Sequence, residues 1–584
     1  MSETGARRLG TAVILLAALA AVTPLLIRGT TCGHDFDFHL ASWFDALASW
    51  RQGIVYPRWA PSANYGAGEP RFIFYPPISW MLGAALGAVL PWKLVPVALT
   101  FLYLAGCGLA TRALARLVLP EGAAALAGCI ALSSGYALFS AYERSDFAEL
   151  TGGFWLALVL LFALRQRAAG ATIALRAFDG SAVPLALAIA GAWLSNAPVG
   201  VMASYLLAAA AAVTALTARS WAPVLRAAVS VALGIGLAAL YLVPAAVEQS
   251  WVDMKQILGD PGYTVENNWL FARHAGAAMQ LHDEELFRVS VIAVVMLAVA
   301  IVCLAVCWRR GLPRKDARVW LPLALIPFAA LVLMLPVSDF VWNLLPKLRF
   351  LQFPWRWLLA LEAPMGIFFA GAVWSTRPWR RAAAIAACAA ICVASAVVAG
   401  RVFFQFCDEE DAVWAMLDTY HQGEGFAGTD EYEPPYADNS ELSQDLPPSC
   451  LTRSATAKLG VLNQYQMYDW APEQHSCDAA FDAARGSTAE HLRIDANAPH
   501  AGYLILRLRS YPAWAVRVNG QPLRNLPERE DGLIAVPVAQ GFSRITADWT
   551  TTPDVWAGRG LSAAALILLI GLSWIERRMI MKRA

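Results

Sequence analysis

Long, nearly uncharged stretches recur along most of this 584-residue chain. A helix of about 20 apolar residues spans the ~30 Å hydrocarbon core of a bilayer. Inside that core each backbone polar group must be satisfied internally, so a chain with many such stretches folds as a helical bundle. Apolar residues make up 58% and charged residues 15%, against roughly 45–50% and about 25% in soluble domains. These values exclude a soluble enzyme, a disordered chain and a fibrous repeat. Lys+Arg total 45 and Asp+Glu total 44. With no basic excess, nothing points to nucleic acid; the lipid bilayer is the implied partner.

Thirteen apolar stretches can be marked: 9–27, 73–91, 94–118, 122–140, 147–164, 181–195, 198–217, 223–246, 289–307, 319–336, 355–375, 380–400 and 557–575. The first reads either as an uncleaved span or as a cleaved signal peptide; its length favours the span. Residues 1–401 then form a transmembrane domain with a first outer loop at 29–72. Charge, Pro, Asn and Gly return over 402–556, which reads as an outer, mainly β domain. Residues 557–584 are a last helix with a basic tail. By the positive-inside rule, Arg7/Arg8, Arg112/Arg116, Arg165–Arg176, Arg309–Arg318, Arg377–Arg381 and Arg577–Arg583 are cytoplasmic. That leaves 141–149, 248–288, 337–354 and the β domain outside. Both termini then share a side, which needs an even number of crossings. Thirteen stretches conflict with this. Either 73–91 does not cross fully, or Arg112/Arg116 lie outside.

In the β domain, alternating patterns mark strands at 491–494, 503–508, 514–518, 533–538 and 543–549. Asn519-Gly520 is a hairpin signal. Gly541, between the last two strands, reads as a second hairpin, and the whole as a small antiparallel β-sandwich. Cys32, Cys407, Cys450 and Cys477 fall on the oxidising side. One disulfide is expected, with Cys450–Cys477 a candidate, although sequence does not dictate pairing. Cys303/Cys307 and Cys388/Cys392, spaced i,i+4 in apolar helices, read as small packed residues.

Chemistry concentrates in the first outer loop, Gly33-His34-Asp35-Phe36-Asp37-Phe38-His39. Polar groups at the edge of hydrocarbon need a reason. The Asp35/Asp37 pair can hold a divalent cation such as Mg or Mn that clamps phosphates. One Asp alone can instead be a general base, or both can be capping residues in a solvated loop. Leu40, Trp43, Phe44, Leu47 and Trp50 then recur at helical spacing, with Asp45 and Arg51 as interruptions. This predicts an amphipathic helix in the membrane interface.

The run Gly33–His39, Pro57-Arg58-Trp59, and Tyr65-Gly66-x-Gly68-x-Pro70 ending in Phe74-Tyr75-Pro76-Pro77 resemble the first loop of YfhO-type bacterial membrane proteins. These overlap with membrane proteins known as 6-pyruvoyl-tetrahydropterin synthase-related. Both groups are similar to GT-C glycosyltransferases. Leu348–Trp357, with Gln352-Phe353-Pro354-Trp355-Arg356, resembles a further family segment, and Ser510-Tyr511-Pro512-x-Trp514 with Val518-Asn519-Gly520 resembles its β domain. Thr429-Asp430-Glu431-Tyr432 also looks like a family element, with no chemistry attached. The resemblance implies a GT-C-like polytopic fold of about 12–13 transmembrane helices in the bacterial inner membrane, with the β domain on the periplasmic side. It implies a polyprenyl-phosphate sugar donor, a glycan, lipid or protein acceptor on the outer face, and an inverting transfer. Asp35, or alternatively Asp37, would match the family's acidic residue.

Two further clusters lie on the same side. In Tyr142–Glu149, Asp146 and Glu149 sit i,i+3 at a helix start, where capping alone explains negative charge. The resemblance makes Asp146 a second catalytic acid, steadied by Arg144. Lys347, Arg349, Gln352 and Arg356 read either as interfacial anchors or as a phosphate clamp. His34, His39, Arg144, Glu149, Arg349, Gln352 and Arg356 are thus candidate substrate-binding residues beside catalytic Asp35, Asp37 and Asp146. His274, His282, Asp283, Glu284 and Glu285, in the loop 248–288, read as solvated or as lining an acceptor side. Three functions remain open: a GT-C-type glycosyltransferase, a non-catalytic glycan- or lipid-binding relative, and a transporter of lipid-linked substrate. The absence of an internal repeat and of charge at mid-membrane weighs against the last.

Overall fold

The computed structural model describes residues 2–165, 177–254, 259–442, 444, 449–459 and 487–581. Among these, nine helices are long and apolar enough to cross a membrane. Two helix pairs, Glu121–Leu132 with Gly135–Arg144 and Ala317–Leu333 with Pro336–Leu344, are bent by 41° and 97° and bring the number to 11 if each is one span. The apolar faces are lined by Ala, Leu, Val and Trp, and one continuous hydrophobic cluster runs from Ile14 to Met416.

Within 73–118, the first apolar stretch forms a helix shorter than a membrane span. Helix Pro77–Gly87 has 11 residues, roughly 16 Å at about 1.5 Å per residue. That is half of a hydrocarbon core. It packs on helix Phe36–Arg51 and stays at that end of the bundle. Arg112 donates to the Arg7 carbonyl at 2.7 Å and to Glu121 at 2.7 Å. Arg112 therefore lies at the Arg7 end. Arg226 and Glu576 lie at that end too. The Arg165–Arg176 assignment beyond Arg165, and Lys582 and Arg583, fall outside the described residues.

Helix Phe36–Arg51 exists as expected, but its apolar face meets protein and not lipid. Leu40, Trp43, Phe44 and Ala46 are buried. Asp45, expected as a polar interruption at a surface, is also buried and accepts from Ser62 Oγ at 2.7 Å. Helix Pro77–Gly87 and helix Val413–Gln422 cover it.

Two antiparallel sheets follow. One has order β1(Ser449–Thr452)-β3(Gly502–Arg509)-β6(Leu533–Val538). The other has order β2(His491–Ala498)-β7(Gly541–Trp549)-β4(Trp514–Val518)-β5(Gln521–Pro522). Leu504, Leu506 and Ile534 of the first sheet share one hydrophobic cluster with Ile494, Val516 and Ile545 of the second. The Asn519-Gly520 hairpin is present, with φ of 50° and 81°, the left-handed pair that a tight hairpin turn requires. The second expected hairpin is not. β6 pairs with β3 and β7 with β2 and β4, so Gly541 starts a strand in the other sheet.

The first loop locks this domain to the bundle. Trp59 and Ile73 enter the β-domain core, where Trp59 lies 5.3 Å from Trp514 and 6.1 Å from Tyr511, centroid to centroid. Gly68 permits that approach, because a Cβ there would stand 2.0 Å from Trp59 Nε1. Glu69, fully buried, receives Arg71 Nε at 2.6 Å and the Thr429 amide at 2.8 Å. A disulfide joins Cys32 to Cys407, a pairing that spacing gave no means to choose. Cys450 is also disulfide-bonded; Cys477 lies outside the described residues.

Candidate functional site

Segments distant in sequence meet at the end of the bundle opposite Arg7. The first helix ends at Arg28, and Thr31 Oγ1 donates to the Tyr142 carbonyl at 2.7 Å. The Gly33 amide then donates to Ser145 Oγ at 3.1 Å, and the Asp35 amide to the Arg144 carbonyl at 3.0 Å. Gly33 is needed here, because a Cβ would stand 2.3 Å from the Glu143 carbonyl oxygen. On the other strand of this contact, a π-helical turn Ser140–Arg144 and left-handed Ser145 (φ 51°) break the helix. The break turns Arg144 and Asp146 inward.

Arg144 is the hub. Its guanidinium stands 3.1 Å from Glu149, 3.6 Å from Asp35, 3.8 Å from Asp146 and 3.8 Å from Glu285. Arg356 Nε donates to the same Glu149 oxygen at 2.8 Å, and its Nη1 to the Leu351 carbonyl at 2.6 Å. Tyr136 donates its hydroxyl to the other Glu149 oxygen. The Phe353 ring lies between the two cations, 5.1 Å from Arg144 and 4.8 Å from Arg356. Each is a cation–π contact, strengthened where water is excluded. Gln352, at φ 60°, places its amide oxygen 3.5 Å from Arg356. His39, buried, stands 3.9 Å from Asp146 and 3.5 Å from the Tyr75 hydroxyl. Asp146 also caps the next helix, accepting from the Glu149 amide at 2.8 Å.

The two nearest carboxyls are pushed apart in proton affinity. Burial raises Asp146, but the His39 hydrogen bond and the Arg144 and Arg356 charges outweigh it, and Asp146 stays well below the usual carboxylate range. Burial, then the Asp146 charge, lift Asp35 from 3.8 to about 6 against the pull of Arg144. Asp35 is also the accessible one, with 38% of its side chain exposed against 6% for Asp146. Divergence of this kind separates an ionised partner from a group that exchanges its proton near neutrality.

The expected residues divide. Asp35, His39, Arg144, Asp146, Glu149, Gln352 and Arg356 converge. His34 is at the rim, 3.6 Å from Glu285. Asp37 does not join them. It is exposed, and its charge acts on Asp411. Residues i and i+2 at a helix start face different ways, so Asp35 and Asp37 do not fit a shared divalent cation. Among the described residues no group of three His, Cys, Asp or Glu could hold a metal. Arg349 also separates from Arg356. It is half exposed and binds Glu266 and Asn343, because left-handed Lys347 and Gln352 turn the chain on either side of it.

Glu285 belongs to the cluster although its acidic run reads as a solvated loop. It lies in helix Gln280–Arg309, while its neighbour Asp283 pairs with His274 at 2.6 Å. Its placement by the tertiary fold leaves no local signal. Tyr136 carries no sequence signal, whereas Tyr75 and Phe353 fall in motifs of the resemblance without an assigned role. Glu431, which carried no assigned chemistry, is lifted by burial to about 7. Its charge and that of Asp35 both bear on Tyr263, whose ring lies 6.1 Å from Phe353.

No family model and no curated protein matches this chain. Among solved structures it is similar to the Archaeoglobus fulgidus oligosaccharyltransferase. Against the complex with Zn and sulfate, identity is 15% over 76% of this chain and 59% of that one, with a TM-score of 0.44. Against the apo form the values are 13%, 76%, 62% and 0.46. The match thus spans about six-tenths of the length of those chains.

Proposed function

We propose that this chain is a membrane glycosyltransferase that moves a sugar from a polyprenyl-phosphate donor to a hydroxyl acceptor, with Asp35 as general base. One observation carries the reading. Asp35 is half exposed, its backbone is pinned to Arg144, and its carboxyl is lifted to about 6 beside an ionised Asp146. A base is most effective when its pKa lies near the ambient pH. In the reaction, Asp35 takes the proton of the acceptor hydroxyl as that oxygen attacks the anomeric carbon. The bond from that carbon to the donor's phosphate oxygen breaks, its electron pair leaves with the polyprenyl phosphate, and the configuration inverts.

The other residues take supporting roles. Asp146 sustains the proton affinity of Asp35, and His39 steadies Asp146. Arg144 orients Asp35 and Asp146. Arg356, committed to Glu149 and the Leu351 carbonyl, fixes Glu149 and so Arg144. Arg349, with 41% of its side chain exposed, is assigned to the donor phosphate. The Arg-rich end opposite Asp35 supports a cytoplasmic assignment for that end, placing the site and the β domain outside a bacterial cytoplasmic membrane.

A second reading is a non-catalytic glycan- or lipid-binding protein with the same architecture. It is favoured by charge balance, since four carboxylates surround Arg144 and Arg356 shares one of them. Purified protein in liposomes, given a radiolabelled polyprenyl-phosphate sugar and cell-envelope acceptors, separates the two. Transfer that Asp35→Asn abolishes supports the enzyme. Transfer unchanged in that variant removes Asp35 as the base, and tight donor or glycan binding without product supports the second reading.

A further inference from the structure

A groove of about 420 Å³ opens on the outside of the bundle between the first helix and helix Pro378–Val398. Its walls are Ala20, Pro24, Ile27, Val393, Ala396 and Val397, with Arg28 and Arg401 at one end and no Asp or Glu in the lining. Both helices are candidate membrane spans, so the apolar part lies where acyl chains lie. Arg28 is the last residue of its helix, and Arg401 sits in the π-helical turn Ala399–Phe403. The two guanidiniums therefore stand where the chain leaves the hydrocarbon, at headgroup depth.

The local backbone holds this arrangement. Arg28 Nη1 donates to the Gly400 carbonyl, and its guanidinium lies 5.6 Å from the Phe404 ring centroid. Gly400 allows the close approach, since a Cβ would stand 2.7 Å from Pro24 Cβ. Just beyond, the Cys32–Cys407 disulfide and the Cys32 amide bond to the Gln405 carbonyl (3.1 Å) tie the two segments together. Guanidinium presents five donors, so the Gly400 bond leaves Arg28 others.

We propose that this groove is a binding site for an anionic membrane phospholipid. Its phosphate bridges Arg28 and Arg401, and one acyl chain lies along the wall from Pro24 to Val393. Charge complementarity selects the occupant, because an apolar groove ending in two cations and no carboxylate prefers a net negative headgroup to a zwitterionic one. The inference is independent of glycosyl transfer, since none of these residues has a role in the reaction proposed above.

The full-length protein in neutral detergent tests it by thermal unfolding with added lipid. Dioleoyl-phosphatidylglycerol should raise the midpoint saturably and dioleoyl-phosphatidylcholine should not. Arg401→Gln, at an exposed position, should weaken the phosphatidylglycerol effect about fivefold. Arg28→Gln with Arg401→Gln should weaken it about tenfold or more. Should the double variant fail to fold, Val393→Trp, which fills the groove and keeps both cations, should abolish the effect. Equal response to both lipids, or unchanged response in Arg401→Gln and Val393→Trp, overturns the site. A polyprenyl phosphate that displaces phosphatidylglycerol at far lower concentration overturns the phospholipid assignment.

Discussion

Buried arginines stand at both ends of this bundle, but they face different partners. At the Arg7 end, Arg112 reaches Glu121, Thr11 and the Arg7 carbonyl. Arg226 reaches Asp179 and the carbonyls of Ala177 and Arg165, and Arg310, itself exposed, reaches those of Gly371, Ala372 and Trp374. Glu576 receives the amides of Gly180 and Ala182. There most of these bonds go to helix ends, whose last carbonyls and first amides lack intrahelical partners. At the Asp35 end, side chains serve each other. Four carboxylates compete for Arg144, and the most exposed, Asp35, retains its proton most strongly within the Asp35–Asp146 pair. A charge that caps a helix is spent on structure. A charge held by an oversubscribed partner remains available for chemistry.

The largest test of this contrast is Glu149→Gln. It leaves Arg144 and Arg356 buried with their shared acceptor neutralised, and should cost about 3–5 kcal/mol of stability, read by denaturant unfolding in detergent. A loss below that of Glu121→Gln would break the comparison. Next comes Asp35→Asn, which should lower any sugar transfer by about a hundredfold or more while unfolding no more readily than the parent. In the parent, transfer should rise with pH through about 6, because Asp35 must be ionised. The sign for stability is opposite. A folded pKa raised from 3.8 to about 6 means that ionising Asp35 costs stability as pH climbs through that window, a slope that Asp35→Asn should remove.

Arg349→Gln sharpens the donor-phosphate assignment. It should raise the donor KM about tenfold with kcat held, and a fall in kcat alone would move Arg349 out of donor binding. The smallest effect is expected of Glu121→Gln. Its side chain is 20% exposed, and Arg112 keeps its Thr11 and Arg7 acceptors, so the cost should be about 1 kcal/mol.

Helical spans, the inserted β domain, its strands and the Asn519-Gly520 turn all follow from local patterns. Hydrophobic runs and period-two alternation are read directly by lipid and by a sheet face. Sequence also picks out Asp35, Arg144, Asp146, Glu149 and Arg356, because charge at the edge of an apolar run is costly unless something compensates it. It cannot separate Arg356 from Arg349, seven positions earlier, since left-handed turns at Lys347 and Gln352 decide which one points inward. Nor can it join Glu285 to Arg144, assign β6 and β7 to different sheets, or pair Cys32 with Cys407. Those contacts close loops of tens to hundreds of residues, and no short-range pattern encodes them.

The sequence alone determined that the chain is a bundle of apolar helices with a β domain before the last one, because hydrophobicity and alternation act through immediate surroundings. Tertiary structure alone decided that the 73–91 stretch holds no helix longer than the 11-residue Pro77–Gly87 and that Asp37 and Arg349 stay outside the cluster. It also decided that Asp35 exchanges its proton near neutrality while Asp146 stays ionised. Proton affinity depends on burial and on charges brought within a few ångströms by the packed fold, and those neighbours come from three separate parts of the chain.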